Sequence, residues 1–527
     1  MVVKSLVLKN EYRDSIFLMR VSKQLEELEG VQKASAIMAT DANKDLLRDA
    51  GMLTDDAKGA GSNDLVIVVD AASSERASEA ISGAEGILTE EAKKRVEEAE
   101  VIYKTLDSAI GAEPESNLVL ISVPGEFAAR EAERALRGGK HVMIFSDGVS
   151  VEDEVRLKHL GREKGLLVMG PDCGTAIING IGLGFANVVK RGPIGVVAAS
   201  GTGAQEVTSL INAGPGISHV IGTGGRDLHD EVGGITMLMG LKSLADDPET
   251  KTIVLVSKPP SPDVAKRILK AASEVGKPMV VNFLGGDPKI IEEINLIPAT
   301  TLEDAAAKAI ALQRGEKPKR VTFSADLNEV KKTAEKEYKR IGPNQLYIRG
   351  IYSGGTFCSE AMLIVRDFVG DVNSNVPLKK ELKLKDSNKS KEHTFVDMGD
   401  DEFTAEIGKP HPMIYHELRQ KRILQEASDP ETAVLLLDVV LGYGAHEDPA
   451  GALAPTLREA REIAEKEGRY LPVIASVCGT PQDPQNLTAQ EKKLKGAGVV
   501  VMPSNAQAAR MAALIATKGK VWKKMVG

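Results

Sequence analysis

The sequence is poor in cysteine, tryptophan and histidine, and each shortage removes a class of explanation. Its 527 residues hold three cysteines, one tryptophan and eight histidines. Cys173, Cys358 and Cys478 are too few and too scattered for a disulfide framework or a zinc site. No metal is therefore expected, and the expected setting is reducing and cytoplasmic. No apolar run approaches the roughly 20 residues that cross a bilayer. The opening stretch, ending Leu8-Lys9-Asn10, lacks the apolar core and small-residue cleavage site of a signal peptide. Neither membrane nor export is expected. Lys and Arg number 67 against 75 Asp and Glu, which disfavours nucleic acid as a partner, because neutralising phosphates takes clustered cations. Fifty glycines beside a single tryptophan suit strand-to-helix turns better than aromatic-rich β architecture.

What the chain does have is alternation of short apolar runs with amphipathic stretches, the pattern of an α/β fold. Its length exceeds one core, so several domains are expected. Residues 1–112 read as an N-terminal α/β region that ends in a charged helix from Thr89 to about Leu106. The apolar stripe of that helix is Ala92, Val96, Ala99, Tyr103 and Leu106. Residues 113–192 read as βαβαβ, with strands near Leu118, His141 and Leu166, the last running into Gly170-Pro171-Asp172-Cys173-Gly174. A further α/β domain spans 193–316, with strands starting at Ile194, His219, Thr252 and Met279. Residues 317–344 form a charged linker, and 345–527 a last domain.

That last domain repeats the one before it. Thr202-x3-Glu206 is matched by Thr356-x3-Glu360, and Asp247-Pro248-Glu249-Thr250 by Asp429-Pro430-Glu431-Thr432, in the same order. The repeat is interrupted at 376–393, a segment with six lysines, which reads as a mobile solvated loop or a basic flap over an anion. Each repeat opens with an apolar strand, a small-residue turn and a helix. Ser200, Gly201 and Thr202 thus stand at one helix start and Gly354, Gly355 and Thr356 at the other. Such ends carry unpaired N–H groups and partial positive charge, which favour phosphate or carboxylate. Glu206 and Glu360, one turn in, are placed to close capping boxes.

These residues resemble a known family. The segment from Leu118 to about Leu284 is similar to the α subunit of succinyl-CoA synthetase, and Gln345 to about Ala516 to the carboxy-terminal domain of its β subunit. Gly170-Pro171-Asp172-Cys173 resembles the Gly-Pro-Asn-Cys signature, and Ser200-Gly201-Thr202-x3-Glu206 the α "power helix". The domain order resembles the FdrA proteins, described as acyl-CoA synthetases. The resemblance implies a CoA-binding-like Rossmann-type domain followed by two duplicated flavodoxin-like domains. It leaves CoA or a nucleotide open as cofactor.

Parts of the parent reaction are missing. In that family ATP binds an ATP-grasp domain, CoA lies on a glycine-rich turn, and a histidine carries the phosphoryl group. Here no histidine occurs between His229 and His393, so Leu284-Gly285-Gly286-Asp287 stands where the phosphohistidine loop belongs. There is no ATP-grasp domain, and no G-x-G-x-x-G follows a strand before Leu118. The glutamate that steadies phosphohistidine aligns with Lys258. A carboxylate suits a charged imidazole, whereas an ammonium suits a free phosphate dianion.

Lys258, Arg226 and His446 are the candidate catalytic residues, for phosphate binding, carboxylate binding and acid–base work respectively. Each could equally be an exposed residue beside a turn. The anion cradle would comprise Ser200, Gly201, Thr202, Gly354, Gly355 and Thr356, with Gly224 and Gly225 from the loop after His219 and Gly442 and Gly444 from Leu441–Asp448. Asp172, Cys173, Gly174, Cys478 and Gly479 would line it, and a helix start at Cys173 would lower its thiol pKa. The implied function is transfer of an acyl or carbamoyl group from its phosphate without a phosphohistidine. In FdrA relatives this means a carbamoyltransferase component acting between oxamate and oxalurate in allantoin and purine catabolism. An acyl-CoA synthetase and a non-catalytic scaffold are the alternatives. Small anions are the expected ligands, with a homo-oligomer or other enzyme subunits completing the assembly.

Overall fold

The computed structural model describes residues 2–13, 15–97, 103–404 and 411–526. It contains two compact units. The smaller consists of Met1–Ser116 with Ser122–Arg134 and Asp401–Pro410. Its sheet is antiparallel, with Leu65–Ala71 between Val2–Leu8 and Val31–Met38. Side chains alternate along a strand, so Leu65, Ile67 and Val69 pack on the side of Phe17, Val21 and Ala80. Val66 and Val68 pack oppositely, with Leu47, Met52 and Ala57. Both faces are covered, which is why Leu-Val-Ile-Val-Val is apolar without interruption. The charged helix expected from Thr89 in fact starts at Ser74 and runs to Glu97, and a separate helix covers Leu106–Ala112. Ala92 and Val96 of the expected stripe fall on the helix that ends at Glu97, and Ala99 lies outside the described residues.

The larger unit carries three sheets. Leu118–Ile121, His141–Ile144 and Val168–Met169 form a short parallel sheet. The two repeats share five parallel strands, to which the second adds the short edge strand Asn373–Ser374. In the first these are Arg191–Ala199, Ile217–Gly222, Thr252–Ser257, Met279–Phe283 and Ile297–Pro298. In the second they are Tyr347–Tyr352, Thr394–Asp397, Thr432–Val440, Val473–Cys478 and Val500–Met502. Both sheets order their strands 2-1-3-4-5, so the sequence repeat is a structural one. The hairpin Thr175–Ile178/Ile181–Gly184 extends the first sheet beyond its second strand, although the sequence grouped it with the preceding βαβαβ segment. It also changes the setting of Cys173. A strand follows that cysteine, not a helix, so the expected helix start is absent there.

One core joins the repeats. Four helices meet in it, Gly201–Asn212, Leu302–Gln313, Gly355–Val369 and Asn505–Ala516. Ala204, Ala305, Ala309, Ala361, Ala508 and Ala512 are buried among them beside Phe357 and Val365. Alanines at the crossings let the helix axes approach, and Phe357 fills the remaining volume. The 376–393 segment is neither a mobile loop nor a flap. Leu384 and Ser387 are buried. Arg422 of the helix Glu417–Ser428 donates to Ser387 O at 2.6 Å and to Ser390 Oγ at 2.9 Å. Those bonds pin the segment to the helix.

Candidate functional site

In parallel sheets the loops at the carboxyl ends of the strands collect ligands, and strand register decides which residues meet there. Ser257 pairs with Ala199, so Lys258 and Ser200 leave adjacent strands side by side. Tyr352 pairs with Asp397, so Asp397 stands beside the turn Ser353-Gly354. Between the repeats, Ser200 Oγ and Thr356 Oγ1 are 2.6 Å apart. The two helix starts therefore face each other. Ser200 also caps its own helix, accepting the Gly203 N–H at 2.9 Å, while the first N–H groups of both helices keep no helical partner.

The glycines at this junction are fixed by proximity. A Cβ on Gly354 would come within 2.9 Å of Thr202 Cγ2. On Gly355 it would lie 2.5 Å from Asp397 Oδ2 and 3.8 Å from Lys258 Nζ. Lys258 is exposed, so its ammonium borders an open space. On the first repeat's side, Gly174 and Thr175 abut Gly201. Gly285, where the phosphohistidine loop was expected, has φ +76° and turns against Leu363 of the second leading helix.

Other expected residues are engaged elsewhere. Arg226 Nε pairs with buried Glu154 at 2.9 Å and its Nη2 donates to Val149 O at 2.7 Å. That guanidinium closes a buried network in which Lys158 meets Glu154 at 2.9 Å and Asp227 at 2.8 Å. Gly224, at φ +82°, packs on Pro171 O, and Gly225 is exposed near Asp172 Oδ2. Gly442, at φ +107°, packs on Ala186 O, while Gly444 lies against Phe185. These turns let loops dock on the 170–186 segment. His446 accepts the Asp448 N–H at Nδ1 (2.9 Å), and its ring leans on His416 at 5.1 Å. Cys173 is buried, its thiol near Thr175 O, and burial pushes it up to about 12, opposite to the expected lowering. Cys478 is buried and likewise raised by desolvation, and Gly479 packs on Leu441. Glu206 and Glu360 do not close boxes in their own helices. Glu206 accepts the Asn505 N–H and Glu360 the Leu302 N–H, each capping the last helix of the other repeat.

Three residues outside the sequence-based set shape the junction. Asp438 accepts from Ser353 N (2.8 Å), Ser353 Oγ (2.8 Å) and Gly354 N (2.9 Å), and pairs with buried Arg419 at 2.9 Å. Arg419 also donates to Ile351 O, so the pair sets the turn at the second helix start. Asp397 is the third. Burial pushes its carboxyl up to about 7 against the opposing pull of Lys258 and the Gly399 N–H. The signal available in sequence was a single Asp closing one apolar run, in Phe395-Val396-Asp397, and a single Asp interrupting another, in Leu436-Leu437-Asp438-Val439-Val440.

Comparison with known proteins sets this junction in a lineage. The model of the CoA-ligase family matches residues 351–515, and that of the CoA binding domain matches 189–285. The latter span covers most of the first repeat, downstream of the 113–192 segment. The uncharacterized protein YahF of Escherichia coli strain K12 is 45% identical over 522 residues, covering 99% of this chain and 100% of its own. The chain belongs to the FdrA family. Through its ligase and CoA-binding domains, this FdrA-family chain is part of the succinyl-CoA synthetase-like superfamily of acid–thiol ligases. The ADP-forming succinate–CoA ligase subunit alpha 2 of Archaeoglobus fulgidus is 31% identical over 192 residues, which is 35% of this chain and 64% of that subunit. The dinucleotide forming acetyl-coenzyme A synthetase 1 of Ca. Korarchaeum cryptofilum, in complex with phosphate and ADP, aligns over 78% of this chain and 85% of its own, with TM-score 0.31 and 15% identity. A model described as the heavy metal-associated domain of AllF matches residues 1–102. That segment contains neither cysteine nor histidine, so it offers a metal ion no thiolate and no imidazole donor. Among the described residues no helix is long and apolar enough to cross a membrane.

Proposed function

We propose that this FdrA-family chain binds an acyl or carbamoyl phosphate between its two repeat helices and transfers the acyl or carbamoyl group directly, without a phosphohistidine. The contact of Ser200 Oγ with Thr356 Oγ1 carries the reading, because it gathers two positive helix ends at one point beside the Lys258 ammonium. Lys258 replaces a carboxylate that would steady an imidazole, and Gly285-Gly286 replaces the loop that would carry one. A phosphate dianion seated there gains N–H donors from both helices and a charge-assisted bond from Lys258. The acceptor that suits the FdrA lineage is oxamate, giving oxalurate, with partner subunits or a second copy completing the assembly. Ser200, Gly201, Thr202, Gly354, Gly355 and Thr356 form the cradle in this reading. Arg226 and His446 act at one remove, as anchors of their loops.

The test is carbamoyl phosphate with oxamate, followed as oxalurate and phosphate formation, with and without candidate partner proteins. Oxalurate formation supports the reading. Absence of product in every combination contradicts it. The likeness to a succinate–CoA ligase α subunit favours a second reading, an acyl-CoA synthetase whose nucleotide-binding part comes from another chain. Labelled ATP separates the two, since acid-labile phosphate on the protein belongs only to the second.

A further inference from the structure

One carboxylate at the junction has a use that packing does not explain. Asp397 is 7% exposed, and its Oδ1 accepts the Gly399 N–H at 3.0 Å. Its Oδ2 has no hydrogen-bond partner among the described residues, and it faces the start of the Gly355–Val369 helix, 2.5 Å from where a Gly355 Cβ would stand. The same point lies 3.8 Å from Lys258 Nζ. Glycine at 355 thus keeps open a space bordered by a carboxylate oxygen, an ammonium and a helix N-terminus. Neighbouring buried acids are all engaged: Asp438 with Ser353, Gly354 and Arg419, Glu360 with Leu302 and Asn505, and Glu206 with Asn505. Asp397 Oδ2 thus borders the open space at Gly355, where a ligand atom can pair with it.

We infer that Asp397 is the proton acceptor of the transfer, its Oδ2 taking the N–H proton of an incoming amide or amine nitrogen at the Gly355 helix start. The inference rests on the transfer function proposed above. As the nitrogen attacks the acyl carbon, the N–C bond forms and the C–O bond to phosphate breaks. The electron pair of that bond leaves on phosphate, held by Lys258 and the helix N–H groups, and the proton ends on Asp397. In the reverse direction phosphate oxygen attacks, and Asp397 returns the proton to the departing nitrogen. A base that must serve as an acid in reverse works best with a pKa near the working pH, and burial pushes Asp397 up to about 7. The groups that face it are Lys258 from the loop after Thr252–Ser257, Cys358 from the leading helix, Asp438 from the third strand and Asp400 from its own loop.

Asp397→Asn in the full chain tests this with two readouts. In the transfer assay, turnover is expected to fall at least about a hundredfold, with no rise in KM for carbamoyl phosphate and with loss of the acid limb near neutral pH. In calorimetric titrations with inorganic phosphate, run in buffers of different ionisation enthalpy, the wild-type chain is expected to take up a proton as the anion enters beside Asp397. The variant should bind phosphate at least as tightly without that uptake. An Asn variant that keeps both its turnover and its acid limb overturns the inference. So does phosphate binding whose proton uptake is the same in both proteins. Linked uptake in the wild type, lost in the variant, but with no transfer under any partner combination, overturns the proposed function and leaves Asp397 in the anion site.

Discussion

Glu206 accepts the backbone N–H of Asn505 at 3.0 Å, tying the leading helix of the first repeat to the first turn of the last helix of the second. The twin contact runs the other way, from Leu302 N–H to Glu360 at 2.7 Å. Each repeat thus caps a helix of the other, and the duplicated chain is locked at the point where its candidate site lies. A carboxylate suits a helix N-terminus, but burial opposes ionisation and pushes Glu206 up to about 8.

That shift sets a pH dependence. Folded Glu206 holds its proton to about pH 8, while the unfolded chain releases it near the ordinary glutamate value of 4.5. Unfolding therefore releases a proton between those values, and stability falls as pH rises through that window, levelling above it. Glu303, pushed up to about 7 by burial, acts in the same direction. Glu206→Gln keeps the acceptor and cannot ionise. Denaturant titrations at about pH 5, 6.5 and 8 should show a flatter decline for the variant and a gain on the order of 1–3 kcal/mol at the highest pH. Parallel curves would contradict this account of Glu206.

Gly355→Ala places a methyl group between Asp397 and Lys258 at the first position of a helix, where alanine is otherwise tolerated. Phosphate affinity should fall about tenfold or more, with the circular dichroism spectrum retained and the melting transition somewhat lowered, because the new carbon would stand 2.5 Å from Asp397 Oδ2. Unchanged affinity would mean that anions do not enter this space.

Asp438→Ala removes the acceptor of the Ser353 and Gly354 N–H groups and leaves Arg419 buried without its counter-ion. Breaking such a pair costs about 3–5 kcal/mol, measurable as a shift in the denaturant midpoint. A loss below about 1 kcal/mol would show that Asp438 does not set the turn.

The three cysteines should be silent in the native protein. Each is buried, and burial raises all three thiols, Cys173 to about 12. A colourless aromatic disulfide reagent at about pH 8 should titrate none of them until denaturant is added. A rapid phase of one thiol per chain would indicate an exposed thiolate.

The sequence was most legible where the two repeats share a pattern. Asp247-Pro248-Glu249-Thr250 and Asp429-Pro430-Glu431-Thr432 precede the third strand of each sheet, and the common 2-1-3-4-5 order follows. The helix starts at Gly201 and Gly355 could be read because small residues end an apolar run in both copies. What stayed hidden depends on contacts across the chain. Glu154 and Arg226 lie on elements whose meeting no local pattern announces, so Arg226 looked free. Gly442 reads like a ligand loop, yet its glycine is required by the approach of Ala186 O. Asp397 ends one apolar strand and Asp438 interrupts another, and only strand pairing turns them toward Gly355 and Gly354.

The central claim is that the two repeat helices and Lys258 form one anion site. Calorimetric titration of carbamoyl phosphate and of inorganic phosphate into the wild-type chain and Lys258→Ala tests it most directly. The account predicts one site per chain, competition between the two ligands, and affinity at least about tenfold weaker in the variant, equivalent to about 1.4 kcal/mol. Equal binding by both proteins, or no binding by the wild type, would contradict it.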